Sequence, residues 1–563
     1  MAINAGVTFN GKRIIHPSAH TKIDASALSS YGVSGGEGRI VALIGTSLGG
    51  EPNKLLSFTS TTEAQAVLRG GDLLKGCALC WNPSDDGVGA TEIMVVRAVD
   101  GCLQAKATIG GIELHSVGFG EFANKIAIKV EEGDDNDFNL TAYYYPDNTV
   151  EVFNNIGNIM DIKYEGAEDA MLAVADGMMT LSVGSVVHKF DLKEEHNDIN
   201  KVVASLRAIE GIKASLKNVG NKNIPADGLD DLAETALDEN GVTLTALEAD
   251  FKYQTRNSNL IVVDKVGEVV ASPNFTKLSG GADGEMSVKA VENALNLLIG
   301  EGVQILVPLT TNDEIRAEVQ NLCDEFVNQQ SQSERSLMMG VYGLDREAVP
   351  EDAIALAVNL NSSRAIVAYP AINKAVLSSE VEELDGCFSA CLVAGRLAGK
   401  ETGDPITMDT VSIAGVATKL THDQVNSLIL SGVTAIEFVR NSATKGYRFA
   451  QGLTTYQSDN NPNFREISMR MVSDELSSGL VEKLENNFVG GKGTKSTLAL
   501  IKNATQSFLD EKVREGTIIE YNAESVMVEL IKDAVYINYS CIPCGAINYI
   551  LITTTYGSPQ LSV

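Results

Sequence analysis

The chain has 563 residues, 44% of them apolar, and a formal net charge of −30 at pH 7. That length implies three or four domains with packed cores, and no stretch approaches the run of about 18 apolar residues that reads as a membrane span. So acidic a chain lacks the basic surplus that wrapping nucleic acid requires, and its charge reads as a device for solubility.

The start, MAINAGVTFNGKRIIHP, contains no apolar run of signal-peptide length, so export by that route is not expected. Residues 1–38 are rich in Gly, Ser and polar side chains, with Val7, Phe9, Ile14 and Ile15 as brief apolar marks. That is too little to build a core, and the segment reads as an extended N-terminal arm. Arg39–Ile44 is a buried-type strand running into Gly45. Ser60 and Glu63 make a capping box that opens a helix through Leu68, and Glu92–Val99 is a second strand. Residues 39–100 therefore begin an α/β layer.

From 101 to 275 the pattern changes to an inserted domain, β-rich first and mixed later. Ile126, Ile128 and Val130 alternate, and Thr141–Tyr145 and Thr149–Phe153 flank Pro146-Asp147-Asn148, a hairpin turn. The acidic segments 228–239 and 243–255 read as helical. Over 276–454 the α/β pattern resumes, with helices over 287–299, from Asn312, near 351–361 and from Asp385. Strands over 303–307, 337–342, 364–369 and 433–439 separate them, and Thr421 with Gln424 forms a second capping box. Strands alternating with helices of this length imply βαβ units and a mainly parallel sheet.

Residues 455–563 carry two helices, about 467–488 and 495–514, and then terminal strands. Val535, Ile537, Tyr539 and Cys541 fall on one face of an extended segment, and Tyr536, Asn538 and Ser540 on the other. After the break Ile542-Pro543-Cys544-Gly545, Ile547, Tyr549 and Leu551 alternate again. Two or three strands are too small a sheet to stand alone. They must pack on a helix, pair with a distant segment, or pair with another copy of the chain.

Several motifs resemble catalytic or ligand-binding signatures and fail on context. Gly45-Thr46-Ser47-Leu48-Gly49 is a literal G-x-S-x-G after a strand, the order of a nucleophile elbow. Gly50-Glu51-Pro52-Asn53 follows where the elbow needs a helix, and no earlier core strand exists to supply an oxyanion loop. A serine hydrolase using Ser47, with His115, His188, His196 or His422 as base, is the enzymatic alternative. Gly490–Thr497 (GGKGTKST) lacks the phosphate-loop spacing and reads as a helix–helix connection. Asp135-x-Asp137-x-Asn139 starts like a calcium loop, but Leu140 and Pro146 occupy positions that need Gly and Glu. Cys77-x-x-Cys80 and Cys541-x-x-Cys544 read as small buried hydrophobes rather than metal ligands. Eight cysteines are sparse enough to fit a reducing compartment. No metal, cofactor or catalytic residue is expected. One charge feature stands out: Lys492, Lys495 and Lys502 lie between Asn486 and Leu509, a stretch without any acidic residue. This local positive patch suits an acidic partner.

Taken in order, these pieces resemble the sheath protein of contractile bacteriophage tails. The resemblance rests on Val41–Asn53 (VALIGTSLGGEPN), Gly118–Val130 (GFGEFANKIAIKV), Leu278–Gly284 (LSGGADG) and the ending Ile467–Ile552 around CIPCGAINYILI. It spans nearly the whole chain, although the acidic region 195–260 matches no pattern of the family. It implies a multidomain α/β plus α+β fold: a mainly parallel, subtilisin-like sheath domain, an inserted β-rich outer domain, a C-terminal α+β inner domain over 455–563, and extended terminal arms. The family assembles as stacked hexameric rings around a tail tube and contracts to drive the tube through the host envelope. Its arms complete a sheet in a neighbour's C-terminal domain. By that likeness Val7, Phe9, Ile14, Ile15, Val535, Ile537, Tyr539, Ile547, Tyr549 and Leu551 are candidate inter-subunit strand residues, and Lys492, Lys495 and Lys502 face the tube. The implied partners are other copies of the chain, the tail tube protein, the baseplate and the tail terminator, with no direct nucleic acid and no membrane. The implied location is the virion tail, assembled in the host cytoplasm. A receptor-binding module built on 101–275 is the third reading, and it predicts that this segment alone binds a cell-surface ligand.

Overall fold

The alternation of apolar strands with amphipathic helices builds one nine-stranded sheet. The computed structural model describes residues 39–133, 137–331, 337–440, 445–459, 461–531 and 534–554, with the backbone of Val7–Phe9 and Lys12–Ile14. These fall into two compact units, one built mainly on Gly101–Glu285, the other on Pro52–Asp100 and Met286–Val563 together with the strand Ile40–Gly45.

In the second unit the strands run, in space, Thr410–Val411, Lys445–Phe449, Val433–Arg440, Ala365–Tyr369, Met339–Gly343, Val303–Pro308, Ile40–Gly45, Ile93–Arg97, Leu55–Phe58. The six from Val433–Arg440 to Ile93–Arg97 are mutually parallel. The strands at either edge are antiparallel. Ile93–Arg97, Met339–Gly343 and Ala365–Tyr369 are buried at every position, as strands covered by helices on both faces must be. Leu43, Val95, Val307 and Val341 pack on one side with helices Asp72–Trp81 and Gly386–Gly399. Ala42, Ile44, Val96 and Leu306 pack on the other with helices Val288–Leu297 and Asp313–Gln330.

The caps follow the sequence. Ser60 Oγ accepts from Glu63 N at 3.3 Å to start the helix Thr61–Leu68. Thr421 and Gln424 close a reciprocal capping box on His422–Leu430. Asp72–Trp81 is a helix that the sequence patterning did not mark, because it is apolar on nearly every face. It holds Cys77 and Cys80 against Cys387 and Cys391 of Gly386–Gly399. A side chain at Gly395 would place its Cβ 2.3 Å from the Cys80 carbonyl oxygen, so glycine is what lets the two helices touch. Burial raises the thiol pKa values of Cys77, Cys387 and Cys391, so these side chains stay neutral and act as small hydrophobes. Among the described residues no group of His, Cys, Asp and Glu is placed to hold a metal ion.

The first unit is antiparallel. One sheet runs Thr149–Ile156, Phe138–Tyr144, Ile126–Glu132, Ser272–Lys277. The turn at Pro146-Asp147-Asn148 is present: Asn148 takes φ 57° and Asp147 Oδ1 accepts from Thr149 N at 3.0 Å. The acidic stretch 228–239 is not a helix. Leu232–Ala236 is an edge strand paired antiparallel to Ala170–Ala175, its exposed positions taken by Ala233, Glu234 and Ala236. An edge strand with a solvated face tolerates charge that otherwise reads as helical, and the helix expected over 243–255 is confined to Leu247–Gln254. The two Gly-rich stretches at 118–125 and 278–284 meet. Asn124 exchanges two hydrogen bonds with the Gly281 backbone at 2.8 and 2.9 Å, and Asp283 Oδ1 accepts from Glu121 N at 2.8 Å. A Cβ on Gly281 would sit 2.5 Å from the Gly120 carbonyl oxygen, so this clasp needs glycine there. Val7–Phe9 and Lys12–Ile14 form a short antiparallel pair, so Val7, Phe9 and Ile14 lie in a hairpin, while Ile15 lies outside the described residues, as does Asp135.

Candidate assembly interface

Helices Ile467–Phe488 and Lys495–Glu515 pack antiparallel through Val472, Leu476, Leu480, Phe508 and Leu509, joined by Ile518 and Val526. Gly479 admits the Phe508 ring, to which a Cβ would stand at 3.0 Å. The connection Gly490–Thr497 is the helix–helix link expected from its failed phosphate-loop spacing, and Thr494 Oγ1 caps the second helix by accepting from Thr497 N at 3.1 Å. Lys512 Nζ lies 2.6 Å from Glu475 and 2.9 Å from Glu515. Burial works against its charge, yet the hydrogen bonds from both carboxylates raise its pKa.

Asp474 fixes the first helix to the parallel sheet. It accepts from Arg364 Nη2 at 2.8 Å and from Arg470 Nη2 at 2.5 Å, and Arg364 and Asp474 are both buried. Arg364 directly precedes the strand Ala365–Tyr369. Replacing one member of such a pair strands the other charge in the interior.

Two small sheets lie beyond the helices. Met527–Ile531 pairs antiparallel with Ala534–Asn538, and Ile518–Tyr521 with Cys541–Pro543. Among the described residues neither has a third strand. In the hairpin the pairs Val528–Ile537 and Leu530–Val535 share one face, and Leu530 lies against Gly493. Met527, Glu529, Ile531 and Tyr536 share the other, where Met527, Ile531 and Tyr536 are each 53% exposed. Val535 and Ile537, expected in a strand reaching another copy, are thus paired within their own chain. Tyr539 packs on the helical core beside Cys541, and burial raises both of their pKa values.

The chain then leaves the body. Cys544 N donates to the Thr517 carbonyl at 3.1 Å, Gly545 sits against Met469 of the first helix, and the Asn548 amide donates to the Glu466 carboxylate. Residues 544–554 form neither helix nor strand. Ile547 is 83%, Tyr549 79%, Ile550 79%, Leu551 92% and Ile552 82% exposed. Alternation in the sequence picks out Ile547, Tyr549 and Leu551; Ile550 and Ile552 are equally bare because the segment is apolar on both faces. A contiguous apolar run in extended backbone is a template for strand pairing.

Lys492 and Lys495 are exposed on the helix connection and Lys502 is half-buried one helical stretch further on. None of the three forms an ion pair among the described residues. Ser47 is 4% exposed, and the chain after Gly45 bends into the edge strand Leu55–Phe58 instead of a helix. Thr46 is spent on structure: its hydroxyl donates to Asp72 at 3.1 Å and its carbonyl accepts from Leu73 N at 2.9 Å. That loop is a helix-capping turn and no nucleophile elbow.

Comparison with known proteins points one way. Residues 459–556 match the phage tail sheath C-terminal domain family. The chain is 32% identical over 576 aligned residues to a tail sheath protein of Bacillus phage SP01, covering 99% of this chain and 98% of that protein. It is 31% identical over 566 residues to a putative tail sheath protein of Enterococcus phage phiEF24C, covering 97% and 98%. The crystal structure of a sheath tail protein from Desulfitobacterium hafniense superposes with TM-score 0.58 at 14% identity, over 90% of this chain and 94% of that one.

Proposed function

The chain belongs to the phage tail sheath proteins, structural subunits of a contractile tail and not enzymes, and we propose that it polymerises as stacked hexameric rings around a tail tube. The observation that carries the proposal is the bare apolar tail Ile547–Ile552 beside a two-stranded hairpin with free edges. Each supplies what the other lacks. The tail of one copy adds a strand to the hairpin Met527–Asn538 of another, with main-chain hydrogen bonds for affinity and alternate side chains for register. The N-terminal arm, with Val7, Phe9, Ile14 and Ile15, joins the same sheet from a different neighbour. Such contacts are heterologous and do not close, so they propagate a helix.

In this reading the parallel layer takes the subtilisin-like role of the family's sheath domain, 101–275 lies outermost and 455–563 faces the tube. Contraction is a switch between two packings of the globular bodies while the knitted sheets persist. Moving one two-state element from 1:99 to 99:1 takes about 5.5 kcal/mol. Coupling along the polymer lets a baseplate at one end release it, with a terminator at the other, and the tube is driven through the host envelope. Assembly takes place in the host cytoplasm.

Negative-stain microscopy of the purified chain tests the reading: tubes or rings are expected, and monodisperse particles at every concentration would refute it. Lys492, Lys495 and Lys502 hold the extended sheath on an acidic tube. Reversing all three to Glu is expected to abolish extended sheaths on tubes while contracted polymer still forms. Normal extended sheaths from that variant would remove the lysines from the tube contact.

A further inference from the structure

The two ends of the chain differ in charge far more than chance composition in an acidic protein suggests. Up to Ile23 the chain carries Lys12, Arg13, Lys22 and two histidines, and its first acidic residue is Asp24. From Ala534 to Val563 there is no charged side chain at all. The receiving region is acidic. Glu529 stands on the outer face of the hairpin opposite Tyr536. Glu520 and Glu524 are exposed on the adjoining strand and turn, and Ser540 N donates to Ser525 Oγ at 3.0 Å, which holds that turn at the hairpin's base. None of these three carboxylates forms an ion pair among the described residues.

We infer that the two arms dock by different chemistries. The cationic segment around Lys12–Ile14 of one copy seats on the hairpin face of a second copy, Lys12 and Arg13 against Glu520, Glu524 and Glu529. The uncharged tail holds by apolar and backbone contact alone. The inference rests on the sheath reading and assigns its N-terminal contact a salt dependence that the C-terminal contact lacks. Exposed charge pairs are screened as the Debye length falls from about 10 Å at 0.1 M to about 3 Å at 1 M salt. Burial of the tail's Ile, Tyr and Leu side chains does not weaken in this way.

The test uses the full chain and the critical concentration for polymer, measured by sedimentation. At about 0.1 M salt, Lys12→Glu/Arg13→Glu is expected to raise that concentration at least about tenfold, since like charges face each other across the contact. Near 1 M the gap to wild type should close. Glu520→Lys/Glu529→Lys in the reversed background should bring the value back to within about threefold of wild type, with circular dichroism reporting that the fold is kept. Leu551→Asp should be defective at every salt concentration. Wild-type polymer that is indifferent to both salt and the Lys12/Arg13 reversal overturns the inference alone, as does a folded charge-swap variant that fails to recover. Wild type that forms no polymer at any salt overturns the sheath reading and the inference with it.

Discussion

Deletion of residues 547–552 is expected to leave a folded monomer at concentrations where the intact chain polymerises. The side chains removed contribute nothing to their own subunit's core, being 79–92% exposed. Each is worth about 1.5–3 kcal/mol once fully buried against a neighbour, and the strand's main-chain hydrogen bonds are lost with them. Sedimentation velocity should show the monomer, and the far-ultraviolet spectrum and melting behaviour should match those of the intact chain. Polymer of unchanged size would mean that the tail is not the joint. Deleting residues 1–20 should also give a folded monomer.

A second large effect is expected inside the subunit. Asp474→Ala leaves Arg364 buried without its carboxylate and takes a partner from Arg470. Breaking a buried pair on one side costs about 3–5 kcal/mol. The exposed pair Lys483–Glu511, at 3.2 Å, supplies the control, because Glu511→Ala should cost under about 1 kcal/mol. Urea unfolding of both variants checks this. Equal midpoints for the two would show that the buried cluster does not secure the C-terminal helices.

The parallel layer was legible because its strands are apolar at every position and its helices begin at readable caps such as Ser60, Asn312, Asp385 and Thr421. The helix Asp72–Trp81 escaped because a helix buried all round has no periodic polar face. The edge strand Leu232–Ala236 escaped because its charges mark solvent exposure and say nothing of which backbone pairs with it. At the interface, alternation found Ile547, Tyr549 and Leu551, yet it also drew Val535 and Ile537 into the same group. Both stretches have the same period, and only pairing partners distinguish a strand that stays home from one left bare. The Arg364–Asp474 contact joins residues 110 positions apart, and nothing local to either announces it.

The fastening of the tail has a mechanical consequence. Gly545 and Asn548 grip Met469 and Glu466 at the start of a helix that Asp474, about two turns on, ties to Arg364 at the foot of a central strand. Tension on the tail therefore enters the stiffest layer of the molecule through a short strut, bypassing the two-stranded hairpin. A neighbour pulling on that cable would turn the α/β body as a rigid piece before it peeled the small sheets apart.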